Sequence, residues 1–500
     1  MRRALGLPLL AAIAVTALAD GGFSVRGQGL FVALCGAAVA WLAAATPRAE
    51  ARRWRATPAL VLLALGALAC ASAAWTIAAP ADALRWGLVI VGYGALVAAG
   101  AFLAARLGPW PFAIGVCVLA GGEAVVGLIA VARRELPEAE RIGGAWQAGG
   151  TFQYAPALAA LQLMALPAAL RRMRDARPWA AVAGAISAAL AAAALGVSGS
   201  AFALAAGAAL LAVAVAWPRV ALGGHHPTAL AHGHRPTALA AAALLVLTAL
   251  AAYAVAGRYA PPDALGGDVA RLVGLAASVV AAAALWLPLR ALARATTGAV
   301  GATRPRARRP LLALTAASLV VAAVLATLAP GGTARVGVEP SAGFGHGRPH
   351  EWSAAARTWL DRPLLGAGAT AYLPASRSHQ GAGASLFAHD LPLEQAAELG
   401  VVGLLLALAL YAACGAALWR ARGSPALWLA GPAVVVFLAQ NLIDWTWHLP
   451  ALAGAWAVAL GTVVAAAPAD RPAVAGRAAE RVAVALRRRA SVSASPARRP

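Results

Sequence analysis

Lysine is absent from this chain: all 41 basic residues are arginine. Arginine identity at a given position is therefore weak evidence for a phosphate or nucleic-acid contact. Acidic residues are scarce as well, 19 in 500, which leaves a formal net charge of +22. The arginines stand in short clusters between apolar runs. That is the pattern of loops facing an anionic membrane leaflet, not of a nucleic-acid-binding surface. Only 12% of residues are charged against 61% apolar, a balance that excludes a soluble globular domain. Cysteine is rare. Cys35, Cys70, Cys117 and Cys414 each lie inside an apolar run, so no disulfide framework and no CxxC metal site is present. No repeat of 20–50 residues is visible.

Long apolar runs dominate what remains. A bilayer span needs roughly 17–25 apolar residues. Windows of that kind fall at 4–19, 28–45, 58–79, 83–105, 109–131, 154–170, 178–197, 200–217, 237–256, 269–289, 310–329, 399–418, 426–444 and 450–467. The fold class this predicts is all-α: a polytopic helical bundle of about 12–14 membrane helices. The first run follows Arg2 and Arg3 and reads as a retained helix. With the N-terminus in the cytoplasm, 29 of the 41 arginines fall on the inner side and 12 on the outer, the positive-inside pattern.

Four regions are expected: N-terminal helices over 1–179, a core over 180–418 that includes a large outside loop at 330–398, C-terminal helices over 419–467, and a basic tail over 468–500. The tail is Arg/Ala/Ser/Pro-rich and reads as disordered or lying on the membrane. A duplicated stretch encloses His225, His226, His232 and His234. Such a tract can bind metal, but a solvated low-complexity loop explains it better.

The chemistry-bearing residues concentrate at outside positions. His389, Asp390, Glu394 and Glu398 precede the run 399–418. Imidazole titrates near neutrality and can take a proton from a hydroxyl, which makes His389 the candidate base. The bland alternative is a histidine that only hydrogen-bonds at a helix start. Asp390 fits an N-cap and Pro392 a first helical turn, so capping accounts for Asp390. Glu398 lies deeper and is a candidate substrate contact. Residues 351–361 can form an amphipathic helix, with Trp352 and Trp359 reading as interface anchors. Arg348, Arg357, Arg362 and Arg377 lie on the side where arginine is scarce, and guanidinium recognises phosphate in bidentate fashion. Asp444 and His448 stand i, i+4 at an outside helix end and complete the polar patch. Glu123 is an intramembrane acid, a functional candidate by default. No spacing supports a metal, and no cofactor is expected.

The stretch His-Asp-x-x-Leu-Glu-x-x-x-Glu-x-Gly-x-x-Gly, His389 to Gly403, resembles the signature of the O-antigen ligase and polymerase superfamily, with Asp390 where Asn is common. Arg348…Trp352…Pro363-Leu364-Leu365-Gly366-x-Gly368 resembles that family's large outside loop. Gly150-Thr151-Phe152 resembles a further segment, with Pro156 in place of the usual Asn. Gly196 to Phe202 resembles a helix start in which Gly199 replaces an Arg. The resemblance implies a lipid-sugar glycosyltransferase-like fold in the bacterial cytoplasmic membrane. It implies metal-independent transfer of a glycan from undecaprenyl diphosphate to an acceptor hydroxyl on a glycan or lipid. His389 is then the base and Arg348 the diphosphate ligand, with Arg357 or Arg377 substituting for the missing arginine. Membrane lipids are further partners, and nucleic acid is not. Two other readings stand beside it. One is a polytopic transporter. The other is a family member that has lost catalysis and serves envelope glycan assembly.

Overall fold

The computed structural model describes residues 6–44, 57–142, 145–175, 177–216, 234–256, 267–298, 348–380 and 384–466. The predicted helix 310–329, His225, His226 and His232 of the His-rich stretch, the start of the large loop and the tail lie outside the described residues. Each of the other predicted spans coincides with a helix. These are α1 (Leu7–Ala17), α2 (Val25–Ala44), α3 (Thr57–Ala71), α4 (Pro80–Leu107), α5 (Trp110–Arg133), α6 (Ala155–Arg172), α7 (Pro178–Ser198), α8 (Ala201–Ala216), α9 (His234–Ala256) and α10 (Gly267–Gly298). After two loop helices, α11 (Arg348–Asp361) and α12 (Tyr372–Ser376), come α13 (Leu391–Arg420), α14 (Pro425–Gln440) and α15 (Pro450–Ala466). Seven of the described helices are long and apolar enough to cross a membrane. The chain is a polytopic helical membrane protein. Lipid-facing positions keep large apolar side chains exposed, among them Val118, Val280 and Leu405.

Proline sits in the first turn of α4, α6, α7, α13 and α14, where its missing N–H costs nothing. Small residues let α4 and α15 approach closely: a side chain on Gly100 would press on the backbone of Val458, and one on Gly461 on that of Val97. One difference from expectation is a small antiparallel hairpin, β1 (Ala139–Ile142) with β2 (Ala145–Ala148). Its strands are too short for periodicity to reveal, although Gly143-Gly144 between them is a hairpin-turn signal.

A second difference is that α3 stops at Ala71, short of the predicted 79. Ser72 caps back onto Ala69 O (2.7 Å) and accepts the Ala369 N–H (2.9 Å), so the chain turns to meet the large loop. The third difference is a break inside α13. Gly400 has φ +66° and ψ −158°, which no helix tolerates. The Pro363–Gly368 stretch takes the backbone groups this releases: Ala367 N–H to Ala397 O (3.0 Å), Gly368 N–H to Glu398 O (2.7 Å) and Val401 N–H to Pro363 O (2.8 Å). A broken helix at membrane depth is tolerable only when protein satisfies it in this way. The break also resolves a length mismatch. As straight helices the 30 residues of α13 would span about 45 Å and the 16 of α14 about 24 Å. Yet they are joined by four residues at one end and touch at the other, through Leu391 N–H to Asn441 O (2.8 Å). Residues 391–399 must therefore turn aside and lie across the mouth of the bundle.

The segments predicted to face outward are bonded to one another on one face: Thr151 to Ala17, Gln153 to Asp20, Tyr154 to Asp444, Trp75 to Leu365. With the arginine distribution this fixes an expected sidedness. Ser378→Cys, exposed in the large loop, should react with a membrane-impermeant maleimide on intact cells; Gly423→Cys, exposed between α13 and α14, should not. The opposite labelling would invert the topology.

Candidate active site

Asp390 ends the large loop and starts α13: its side chain accepts the Leu393 N–H (2.8 Å). Burial pushes its carboxyl up to about 6, helped by the charge of Glu394 and opposed by the Leu393 bond. His389, the residue before this cap, is held in the left-handed region at φ +54°. A residue other than glycine keeps that conformation only where its surroundings insist on it. They do so here. The Ala388 N–H donates to Glu394 Oε2 (3.0 Å), and Trp352 Nε1 approaches His389 O (3.4 Å). Trp352 is thus turned inward, against the expectation of a membrane anchor. Leu360, Leu364, Leu365 and Leu386 are exposed large apolar residues of that loop.

The imidazole of His389 is buried. Its Nδ1 lies 3.0 Å from Glu351 Oε2 and 3.1 Å from Phe387 O. A carboxylate and a carbonyl both accept, so Nδ1 carries the hydrogen and Nε2 is the basic nitrogen. Glu351 Oε2 also accepts from Arg348 Nη1 (3.0 Å). One carboxylate therefore ties the candidate base to the candidate diphosphate ligand. Burial alone would raise the Glu351 carboxyl, but bonds and charge from His389 and Arg348 outweigh it and hold it below the usual range. Glu351 is not singled out by the sequence. Its pairing with His389 bridges 38 positions, and nothing local marks it.

Asp444 is buried and accepts from Tyr154 Oη (2.6 Å), the Trp445 N–H (2.8 Å) and Gln440 Nε2 (3.4 Å). His448 parts from Asp444, because residues 446–448 form a 3₁₀ turn rather than a continuing helix. Its Nε2 meets Glu394 Oε1 at 2.5 Å. Its ring is stacked between Trp86 (4.5 Å) and Phe387 (4.0 Å). The pair braces the backbone that presents His389. Glu398 is buried, accepts the Tyr372 N–H (3.1 Å) and anchors the loop beside the α13 break. Arg357 and Arg377 are exposed and have no carboxylate partner among the described residues. Gly199 caps α7 at φ +71°. Glu123 accepts both the Thr151 N–H (2.8 Å) and, at Oε1, contact from its hydroxyl (2.6 Å), locking the Gly150–Phe152 turn onto α5. Among the described residues no cluster has the makeup of a metal site.

Residues 264–408 match the family model for O-antigen ligase. The matched stretch contains Arg348, Glu351 and His389, the α13 break and the loop that fills it. This stretch is similar to O-antigen ligase, which at family level points to a membrane glycan transferase. A comparison with curated proteins finds no match.

Proposed function

We propose that this chain is a glycan transferase of the bacterial cytoplasmic membrane. It moves a saccharide from an undecaprenyl-diphosphate carrier to an acceptor hydroxyl on the outer side. The observation that carries the reading is the shared Glu351 carboxylate, 3.0 Å from both His389 Nδ1 and Arg348 Nη1. Glu351 fixes the tautomer that leaves His389 Nε2 free. Nε2 takes the proton from the acceptor hydroxyl as its oxygen bonds to the anomeric carbon. The bond from that carbon to the diphosphate breaks, and its electron pair stays on the diphosphate. Arg348 offers its remaining N–H groups to the negative charge that develops there. Arg357 and Arg377, exposed on the same loop, attract the anionic carrier.

The test is the purified chain in liposomes, supplied with lipid-linked oligosaccharide and an acceptor glycan, with release of undecaprenyl diphosphate as the readout. Release coupled to acceptor elongation supports the proposal. Movement of glycan across the bilayer with no release supports the transporter reading. Arg348→Lys is expected to lower transfer about tenfold or more, because a point charge does not reproduce a bidentate fork. A fully active Arg348→Lys would remove Arg348 as the diphosphate ligand.

A further inference from the structure

Two turns at the outer face remain without a role. Asp20–Gly22 follows α1, and Gly150–Phe152 precedes α6. Asp20 opens the first turn and Gln153 follows the second, and both have φ of +55° although neither is glycine. Their side chains meet, Gln153 Nε2 to Asp20 Oδ1 at 2.7 Å, in an exposed position. Strained backbone held in place at a surface is a feature of ligand sites more than of scaffolding.

The aromatic residues beside this pair close a circuit. Tyr154, next to Gln153, lies against Trp445 (4.6 Å), and Trp445 against Phe23 (5.3 Å). Phe23 N–H returns to Asp20 O (3.0 Å). Phe23 is 37% exposed although Phe387 and Trp445 pack against it at steep angles, so part of its ring surface reaches solvent. Trp445 stacks on Phe387 (5.2 Å), whose carbonyl oxygen holds His389. The patch is thus continuous with the candidate active site.

We propose that Asp20, Gln153, Phe23 and Trp445 form a glycan subsite that binds one pyranose ring. The proposal deepens the transferase reading and depends on it for the identity of the glycan as substrate. The chemistry fits a sugar and little else. The Asp20–Gln153 pair uses one oxygen and one N–H internally. Asp20 Oδ2, Gln153 Oε1 and the second amide hydrogen remain for neighbouring ring hydroxyls. The exposed ring surface of Phe23 offers apolar contact to the C–H groups of a pyranose, and half-buried Trp445 packs beside it. All four residues lie outside 264–408. Sugar selectivity is then supplied by parts of the chain distinct from the matched segment.

The test uses the whole chain in lipid nanodiscs. It is titrated with the free oligosaccharide pool released by mild acid from the lipid-linked glycans of the cells that make it, and separately with bare undecaprenyl diphosphate. Phe23→Ala and Gln153→Ala should each weaken pool binding about tenfold. Binding of undecaprenyl diphosphate and the melting temperature should stay unchanged. Asp20→Asn, which keeps an acceptor for Gln153, should weaken the pool less than Asp20→Ala. Unchanged pool affinity in Phe23→Ala and Gln153→Ala, or a fall in melting temperature alone, would make the pair a mere tie between turns. So would a wild type that does not bind the pool. Transfer is read in parallel. Variant-sensitive pool binding without undecaprenyl diphosphate release keeps the subsite and removes the transferase reading. Release with variant-insensitive pool binding does the reverse.

Discussion

His389→Ala is expected to lower glycan transfer ~10²–10⁴-fold, the usual worth of general-base assistance. The variant should still fold into the membrane, because the backbone at 388–391 is held by groups other than the imidazole. Ala388 N–H is bound by Glu394, Leu391 N–H by Asn441 O and Leu393 N–H by Asp390. The left-handed position already costs about 1–2 kcal/mol with histidine in place and costs alanine much the same, so the melting temperature should change little. Glu351→Gln separates positioning from chemistry. An amide oxygen can still accept from Nδ1, but it gives neither imidazolium nor guanidinium a counter-charge, so its transfer rate should lie between wild type and His389→Ala. Full transfer by His389→Ala would sink the base assignment and return weight to the transporter or scaffold readings. A Glu351→Gln rate equal to wild type would mean that the negative charge of Glu351 contributes nothing to transfer and that an acceptor at Nδ1 suffices.

Much of this site is legible in the amino-acid sequence, because its signature is local. His389, Asp390, Glu394 and Glu398 fall within ten residues, and a capped helix start dictates what surrounds them. Spacing does not say which of them face each other. Asp390, Glu394 and Glu398 form one helical stripe, yet each is used differently: one caps, one braces His448 and Ala388, and one anchors the 370–372 turn. The partners that decide this come from α11, the start of α12 and the 446–448 turn. Such pairings depend on helix packing, which leaves no trace in spacing. The Asp444–His448 pair shows the converse failure. Spacing of four implies one helical face only while the helix continues, and here it does not.

The membrane spans are legible because hydropathy is a sum over many residues and survives local error. The α13 break is not, since an average over twenty residues is blind to one φ angle. Gly400 reads as a tolerable glycine in an apolar run, and the apolar run itself, 399–418, begins almost at the break. The partner loop carries the clearer sign: Pro363-Leu364-Leu365-Gly366 has glycine where a side chain would overlap the Glu398 backbone. Broken helices are also a mark of transporters, where the released backbone lines a substrate cavity. In this chain the released groups of Ala397, Glu398 and Val401 are taken by the 363–368 stretch instead. The break therefore adds little to the transporter reading. It serves to lay residues 391–399 across the bundle mouth with His389 at their head.

That geometry makes Gly400 the position where one methyl group should do most damage. Its φ of +66° with extended ψ lies in a region that is essentially glycine-only. A Cβ there would also overlap Leu364 O, and the 364–365 backbone is held in place, since Trp75 Nε1 donates to Leu365 O (3.0 Å). Neither partner can yield cheaply. Backbone strain of about 1–3 kcal/mol and an overlap of similar size together make a large share of a stability of roughly 5–15 kcal/mol. Gly400→Ala is therefore expected to melt well below wild type in detergent, or to fail to accumulate in the membrane, and to lose transfer with it. Gly415→Ala, on the same helix with open space where its Cβ would stand, is the control and should melt as wild type does. If Gly400→Ala matched that control, α13 would run on as a continuous helix. The 363–368 stretch would then be unbonded, and the turn that brings His389 over the bundle would have to come from elsewhere.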